Sequence, residues 1–455
     1  MTKSHCIFEF EYLVRESGNG TKSEVGCAIS PQAFDWLEQE VERRAAREEP
    51  AYARICRPKG QRALQVLSHV GVLRTPCGTQ IEVLPKTGKQ AKIGEQGKDA
   101  QGESRSLLIA MLCCLREFRH MKTANAQLLA KKMPLWEVFI AEFLRCAGQV
   151  VKRGLRSDYI AEEGNLFALR GKLLMAPHLR QNMFRRDRFY TAYDEFSPNR
   201  AENRLLHSAL KRVLSLAQTP ANQRLARELC FVFADIPTST NIQQDFQKLR
   251  LDRGMAHYEP ALDWARLILA GESPLPAEHK KTASSLLFPM EVVFEAYVAK
   301  HLRKQLPVGY GLKAQSSAKA LVQHKSQGWF RLKPDLSLQD SEGINCVVLD
   351  TKWKLLDAAQ NNGTKKYGLS QNDFYQLYAY AQYYLGGESK TLVLIYPQTD
   401  TFEYALPVFE FLQPKGEIKL WVLPFDLEKK ELILSECKNE TVNIDLTKFF
   451  GVLGV

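Results

Sequence analysis

Two acidic motifs in the C-terminal part of the chain contain residue types suited to phosphodiester chemistry. Asp335 follows a proline in the strand-like segment 330–338, and Asp350 and Lys352 form a D-x-K motif in the strand-like segment 345–353. Side chains two apart on a strand share a face, so Asp350 and Lys352 should project together. If the two segments pair as a hairpin, Asp335 approaches Asp350 across the ladder.

Two neighbouring carboxylates predict a site for a divalent cation. They repel each other unless positive charge lies between them, and Mg²⁺ prefers oxygen ligands, with Mn²⁺ as the alternative ion. The carbonyl of Thr351 is a further candidate ligand beside Asp335 and Asp350. Lys352 would orient an attacking water or stabilise the negative charge that develops on a phosphate.

Two predicted helices flank these strands and carry further candidate site residues. On the first, Glu291 and Glu295 lie one turn apart, and Glu295 is preferred as an additional metal ligand. On the second, Gln376 and Tyr380 share a face and could hydrogen-bond to the ligands or to a DNA phosphate.

A structural alternative remains open for all of these residues. A lone D-x-K is expected by chance about once or twice in a chain of this length. Asp335 and Asp350 could be ordinary strand-end residues, Lys352 a solvated lysine, Glu295 a solvent-facing glutamate, and Tyr380 a half-buried core residue. The order of the elements around the motifs favours the nuclease interpretation.

Composition narrows the class of protein. Of the 455 residues, 45% are hydrophobic, which is enough for a sizeable core. The net charge of +11 favours a protein that binds a polyanion over one that is merely basic. None of the ten cysteines is at C-x-x-C spacing, which argues against a zinc ribbon and suits reduced thiols in the cytoplasm. We see no signal peptide, no membrane span and no Walker A motif, so a nucleotide-hydrolysing motor site is not expected in this chain.

Periodicity and turn composition divide the chain into three predicted domains. Residues 1–105 are predicted to be β-rich, and their lysine- and glycine-rich end, residues 85–105, is predicted to be an exposed loop. Residues 106–275 have mainly helical periodicity, and the turn-rich segment that follows Ala270 marks a boundary. Residues 276–455 contain the acidic motifs.

The order of elements in the last domain predicts an α/β fold, α+β for the chain as a whole. An amphipathic helix at Met290–Gln305 precedes the two acidic strands, and a helix at residues 370–384 precedes an apolar strand at residues 391–396. A mixed sheet flanked by helices accommodates this order.

The ordered set of Glu295, Pro334-Asp335, Asp350-x-Lys352 and Gln376-x-x-x-Tyr380 resembles the PD-(D/E)XK nucleases, particularly the branch with a Q-x-x-x-Y helix. Other segments resemble the McrC family, the nuclease subunits of the McrBC 5-methylcytosine-specific restriction system. These are residues 71–86, 154–159, 169–172, 193–199, 202–206 and 288–295. The resemblance extends from about residue 60 to about residue 400.

The McrC resemblance implies a restriction-endonuclease-like C-terminal domain that cleaves double-stranded, modified DNA with Mg²⁺. It also implies a McrB-like AAA+ GTPase hexamer as partner, whose GTP hydrolysis the chain would stimulate, with residues 1–105 engaging the ring. Two alternatives stay open, namely a self-sufficient DNA repair nuclease with the same site, and a non-catalytic GTPase-activating assembly subunit.

Overall fold

We analysed a computed structural model of the chain, which describes residues 4–16, 25–86, 98–121, 123–270, 286–315, 319–412 and 416–434. The chain forms two compact units. One comprises residues 1–133 together with 275–455, and the other comprises residues 134–274. The three domains predicted from the sequence are segments expected to fold and function independently. That division stays a prediction.

The N-terminal part of the first unit contains seven strands and three helices. The strands are β1 (Ser4–Phe8), β2 (Tyr12–Arg15), β3 (Cys27–Ile29), β4 (Ala53–Cys56), β5 (Ala63–Val66), β6 (His69–Arg74) and β7 (Gln80–Leu84). The helices are α1 (Pro31–Ala46), α2 (Lys98–Leu112) and α3 (Thr123–Lys132). Strands β3-β2-β5-β4 form one sheet, in that order.

Local sequence signals explain helix α1 and the hairpin of β6 and β7. Helix α1 begins at Pro31, and the hydroxyl of Ser30 accepts a hydrogen bond from the backbone N–H of Ala33, which satisfies one of the free donors of the first turn. Strands β6 and β7 form an antiparallel hairpin whose turn contains Gly78 at a φ of 87°.

The predicted loop at residues 85–105 was wrong at its C-terminal end, and residues 87–97 lie outside the described part of the chain. Helix α2 begins at Lys98. Arg105 on this helix donates two hydrogen bonds, of 2.9 and 2.8 Å, to the buried carboxylate of Glu82 on β7. A polar segment therefore becomes helical because its arginine neutralises a buried acid, which composition alone does not reveal.

The second unit is mainly helical, as predicted, but it also contains a small sheet. Its elements are α4 (Leu135–Arg153), β8 (Asp158–Leu166), β9 (Lys172–Leu173), α5 (Met175–Asn182), β10 (Phe189–Ser197), α6 (Ala201–Leu216), α7 (Pro220–Val232), α8 (Ile242–Gln247) and α9 (Glu259–Ala270). The sheet has the order β8-β10-β9. Its strands are largely exposed and lack apolar alternation, so periodicity did not predict them.

The C-terminal part of the first unit carries the acidic motifs. Its elements are β11 (Leu286–Pro289), α10 (Met290–Gln305), β12 (Gly311–Ala314), β13 (Lys319–His324), β14 (Gln327–Leu332), β15 (Leu336–Gln339), β16 (Asn345–Thr351), α11 (Gln371–Tyr384), β17 (Ser389–Pro397), β18 (Phe409–Glu410), β19 (Glu417–Asp426) and β20 (Glu431–Leu432). The turn-rich segment predicted as a boundary, residues 271–281, lies outside the described residues.

A mixed seven-stranded sheet organises this part, which confirms the α/β fold class. Its order is β12-β15-β16-β17-β19-β18, with β20 also paired to β19. Strands β16, β17 and β19 are parallel, and β15 is antiparallel to β16. Helices α10 and α11 both contact β16, so the central strand is buried along most of its length.

Strand β11 joins the N-terminal and C-terminal segments of the first unit. It adds to the edge of the sheet β1-β7-β6-β11 and leads directly into α10. The predicted bounds of α10 are confirmed, and α11 begins one residue after the predicted start at Ser370. Within the described residues, no helix is both long and apolar enough to span a bilayer.

Candidate active site

The register of the β15–β16 hairpin brings the two acidic motifs together. Leu336 pairs with Leu349, so Asp335 and Asp350 occupy the next opposed positions, one step beyond the end of the ladder. The expectation that residues 330–338 form one strand was wrong, because the chain bends between β14 and β15 and Asp335 lies in the bend. Pro334 lacks an N–H for the ladder, which explains the interruption.

Asp335 is held by the residue beside Asp350. Its Oδ2 accepts hydrogen bonds of 2.8 Å from both the backbone N–H and the hydroxyl of Thr351. The sequence indicated only the Thr351 carbonyl as a candidate ligand, and the structure gives its N–H and hydroxyl this orienting contact. Two donors on one carboxylate oxygen fix the direction of the side chain.

Asp350 and Lys352 form an ion pair at the end of β16. Asp350 is 1% exposed, and the Lys352 Nζ lies 2.5 Å from its Oδ2. No hydrogen bond of normal geometry reaches this oxygen from the described residues, so the ion pair is its electrostatic partner. Val348 packs in the core with Leu377 and Tyr380 of α11, so Asp350 and Lys352, at even spacing from it, face α11.

The charges of this cluster are not balanced within it. Burial raises the pKa of Asp350, and the nearby Asp335 charge raises it further, although Lys352 opposes both effects. Burial disfavours the protonated form of Lys352, but the charge and hydrogen bond of Asp350, together with the charges of Asp335 and Asp373, outweigh burial and raise the pKa of the lysine. The arrangement therefore favours an additional positive group near Asp350.

Glu295 on α10 belongs to the same electrostatic cluster. Burial raises its pKa to about 7, and the charges of Asp335 and Asp350 contribute. The sequence did not indicate Gln315, which organises this side of the site. Its Nε2 lies 3.4 Å from Glu295 Oε1, its backbone N–H donates to the Asp335 carbonyl at 2.7 Å, and its Oε1 accepts from Lys333 Nζ at 3.0 Å.

Gln376 and Tyr380 lie together on α11. The Nε2 of exposed Gln376 donates to the buried Tyr380 hydroxyl at 2.6 Å, and that hydroxyl donates to the Lys333 carbonyl at 3.0 Å. Tyr380 is therefore tied to the backbone just before Pro334-Asp335. The described contacts give it a role in holding the bend, and Gln376 is the member of the pair that faces solvent.

A buried glutamate from the N-terminal segment also reaches the site, and sequence reasoning missed it. Glu9 is fully buried, and its Oε2 accepts hydrogen bonds from Trp353 Nε1 at 3.0 Å and from the Lys86 backbone N–H at 3.1 Å. Trp353 directly follows Lys352 and packs against Phe294 of α10, with ring centroids 5.3 Å apart. Burial raises the pKa of Glu9 to about 8, so it is largely neutral at pH 7.

We expect Glu9→Gln to reduce the pH dependence of stability. The folded-state pKa of Glu9 is raised, so its contribution to stability is complete below the unfolded pKa and is lost as pH rises through about 8. Gln keeps an oxygen acceptor for Trp353 and Lys86 but cannot ionise. The thermal midpoint of the variant should therefore fall less between pH 5 and pH 9 than that of the wild type.

The exposed Glu342→Gln provides the control for this comparison, because it removes a carboxylate that remains in solvent. An equal pH dependence for wild type and Glu9→Gln would show that Glu9 ionises freely in the folded protein. It would contradict the burial argument.

The three carboxylates suit a hard divalent cation, although they do not lie close enough together to form a complete metal site. Asp335, Asp350 and Glu295 offer carboxylate oxygens, and the pKa values of Asp350 and Glu295 are raised, first by burial and then by the neighbouring acids. In the described ranges, no three His, Cys, Asp or Glu side chains already form a metal-binding group. Binding an ion would require Asp350 to share its Oδ2 between Lys352 and the cation.

Comparison with known proteins agrees with this architecture. Residues 64–397 match the model of the McrBC family, described as a 5-methylcytosine restriction system component. No curated protein matches the chain significantly.

Two solved structures are similar to this chain. The first is a refined half-complex from the tetradecameric assembly of Thermococcus gammatolerans McrB AAA+ hexamers with bound McrC. It matches with a TM-score of 0.64 and 17% identity over 93% of this chain and 95% of that chain. The second is the cryo-EM structure of the Thermococcus gammatolerans McrBC complex, with a TM-score of 0.47 and 16% identity over 67% of this chain and 88% of that chain.

The two kinds of match support different statements. At 17% identity the first structural match establishes a shared fold, and the second is too distant to add to it. The family model covers well over half of the sequence and includes β5 through β17. The chain belongs to the McrBC family of 5-methylcytosine restriction system components.

Proposed function

We propose that this chain is the nuclease subunit of a McrBC-like restriction system, a metal-dependent endodeoxyribonuclease that cleaves double-stranded, modified DNA. The convergence of Asp335, Asp350, Lys352 and Glu295 at the C-terminal end of β16 is the observation that carries the proposal. An acid cluster with one lysine, at the end of a central strand in a basic chain, suits hydrolysis of a phosphodiester.

The roles of the residues follow from their contacts. Asp335 and Asp350 would hold Mg²⁺ or Mn²⁺, with Glu295 and the Thr351 carbonyl as further ligands. When bound, the ion would neutralise charge on the scissile phosphate. The Thr351 N–H and hydroxyl keep Asp335 directed toward the site.

Lys352 has a different role because it is the cation that pairs with Asp350. Its Nζ is only partly exposed, so its charge is screened weakly by water. It would orient the attacking water and stabilise the negative charge that develops on the phosphate. Gln376 and Tyr380 would position the bend before Asp335, and the exposed amide of Gln376 can also donate to a phosphate oxygen.

The partner in this proposal is a McrB-like AAA+ GTPase hexamer. A solved structure of similar fold comes from an assembly of McrB AAA+ hexamers with bound McrC. The present sequence has no Walker A motif, so the GTPase motor would be another chain. We propose that residues 1–105 engage that ring and that binding stimulates GTP hydrolysis.

Reconstitution tests the proposal. We expect the chain, a McrB-like GTPase, GTP and Mg²⁺ together to cleave methylated duplex DNA, and omission of any one of them to prevent cleavage. The measurement is gel analysis of a labelled duplex with GTP hydrolysis recorded in parallel.

Two other outcomes would change the assignment. Metal-dependent degradation of DNA by the chain alone would favour a self-sufficient repair nuclease. Stimulation of GTP hydrolysis without cleavage, under conditions in which the chain binds no divalent ion, would leave only the non-catalytic assembly role.

A further inference from the structure

The hairpin of β13 and β14 stands apart from the seven-stranded sheet. It is inserted between β12 and β15, and it forms its own two-stranded sheet with Val322 opposite Trp329 and His324 opposite Gln327. Almost every residue of the hairpin is exposed. It ends at Leu332, directly before Lys333-Pro334-Asp335, so the base of the hairpin adjoins the candidate active site.

The charge of this segment has one sign only. Residues 319–333 contain Lys319, Lys325, Arg331 and Lys333, and no aspartate or glutamate. Lys325 lies at the turn, where it has a positive φ of 44°, and Arg331 lies on β14. The ribbon therefore presents basic side chains at its turn and on β14 with no acidic side chain among them, which suits a polyanion.

Exposed apolar side chains accompany the basic ones. Trp329 is 47% exposed, Phe330 is 70% exposed and Val322 is 46% exposed. The His324 ring lies 4.7 Å from the Trp329 ring, between centroids, which supports the indole on one face of the hairpin. Solvent-exposed aromatic rings among basic residues can stack on bases or wedge into a groove.

The hairpin is fixed to the helix that carries Gln376 and Tyr380. At the end of α11, the Tyr383 hydroxyl donates to the Leu321 carbonyl at 2.6 Å, and the Tyr384 hydroxyl donates to the Leu332 carbonyl at 2.6 Å. The Lys319 Nζ also donates to the Tyr383 carbonyl at 2.6 Å. These contacts hold the base of the hairpin in place relative to the active site and leave its tip free.

We propose that the β13–β14 hairpin is a DNA-binding element that holds the duplex beside the cleavage site. Lys325 and Arg331 contact backbone phosphates, and Trp329 packs against the bases or sugars of a groove. The inference rests on the proposed function, because it names the element by which that site holds its substrate. A protein partner is the other possible occupant, but a one-sign surface adjoining a phosphodiesterase site favours DNA.

Binding measurements on the full-length chain test this inference. All variants are made in an Asp350→Ala background, which prevents cleavage, and the probe is a fluorescein-labelled 30-base-pair duplex followed by anisotropy at several salt concentrations. We expect Lys325→Glu with Arg331→Glu to weaken binding at least about tenfold and to lower its salt dependence. Trp329→Ala should weaken binding about five- to tenfold with little change in salt dependence.

The matched control is Lys429→Glu with Lys430→Glu, in the exposed turn between β19 and β20, toward the end of the seven-stranded sheet opposite β12. It changes the net charge by the same amount outside the hairpin, so we expect binding to change less than about threefold. Circular dichroism checks that each variant is folded.

Three outcomes would overturn the inference. Equal losses in the hairpin variant and in the control would mean that only bulk charge matters. Unchanged DNA binding would show that the hairpin does not bind DNA. A loss of association with the AAA+ partner without a loss of DNA binding would show the same. The nuclease proposal is judged separately, by cleavage. If DNA binding depends on the hairpin but no cleavage occurs, the hairpin inference stands and the nuclease proposal is rejected. If cleavage occurs but DNA binding does not depend on the hairpin, the nuclease proposal stands and the hairpin inference is rejected.

Discussion

Asp350→Ala is expected to lower DNA cleavage by at least about 10³-fold in the presence of the AAA+ partner, GTP and Mg²⁺. Asp350 is the buried acid at the centre of the cluster, and its removal takes away both a candidate ligand and the counter-charge of Lys352. Partner binding and stimulation of GTP hydrolysis should be retained, because we assign them to residues 1–105.

The control for this prediction is Glu342→Ala, which removes an exposed acid from the turn of the same β15–β16 hairpin. Its cleavage rate should equal that of the wild type. The Asp350→Ala protein should remain folded, because the substitution also removes a buried charge that is repelled by Asp335. Persistent cleavage by folded Asp350→Ala protein would exclude the assigned site.

Lys352→Met should reduce both activity and stability. Met keeps much of the length of the side chain but leaves Asp350 buried beside Asp335 and Glu295 without its ion-pair partner. We expect cleavage to fall about 10²- to 10³-fold. The free energy of unfolding of the metal-free protein should fall by about 3 kcal/mol, the lower end for a buried pair, since a quarter of the lysine side chain is exposed.

The pH dependence of this effect has a definite sign. The folded-state pKa of Asp350 is raised, so its destabilising charge is absent at low pH and appears as pH increases. The loss of stability in Lys352→Met should therefore be small at pH 5 and larger at pH 9 in chemical denaturation.

Another strand of the same sheet offers a matched comparison. Lys419 on β19 lies 2.8 Å from Glu417, with the same spacing of two residues, but both side chains are exposed. Lys419→Met should have little effect on stability at either pH, because exposed ion pairs contribute little. Equal effects of the two substitutions would show that burial of Asp350 does not govern the behaviour of the pair.

Local patterns were sufficient to predict the elements that position the site. The apolar spacing of residues 290–305 predicted α10 with its observed bounds. A strand was predicted over residues 345–353, and the structure forms it as Asn345–Thr351, two residues shorter. The i,i+4 spacing predicted the shared face on which Gln376 and Tyr380 now form a hydrogen bond.

The parts that sequence reasoning missed depend on long-range contacts. Glu9 lies more than three hundred residues from Trp353, and an acid in an N-terminal strand region carries no local sign that it will be buried against an indole. Gln315 connects Glu295 to Asp335 through single hydrogen bonds, and an isolated glutamine has no pattern that reveals such a role. These roles arise only after the strands have been assembled.

Two other differences have local causes. Residues 330–338 were expected to form one strand with an edge or a bend at Pro334, but β14 ends at Leu332 and β15 starts at Leu336, because proline lacks an N–H for the ladder. The β13–β14 hairpin has apolar residues on both exposed faces, so alternation of polar and apolar residues does not indicate it. As a result, Asp335 lies in the bend between β14 and β15 and not inside a strand.

The N-terminal and C-terminal segments of the first unit are connected at two places near the acid cluster. Strand β11 joins the N-terminal sheet to α10, which carries Glu295, and the buried Glu9 accepts a hydrogen bond from Trp353, the residue after Lys352.

Binding of Mn²⁺ to the full-length chain, followed by electron paramagnetic resonance, tests the central claim most directly. The wild type should bind the ion saturably at the acid cluster, and Asp350→Ala should lose that binding while Glu342→Ala retains it. Equal Mn²⁺ binding by wild type and Asp350→Ala, or no binding by the wild type, would contradict the claim that these acids form a metal site.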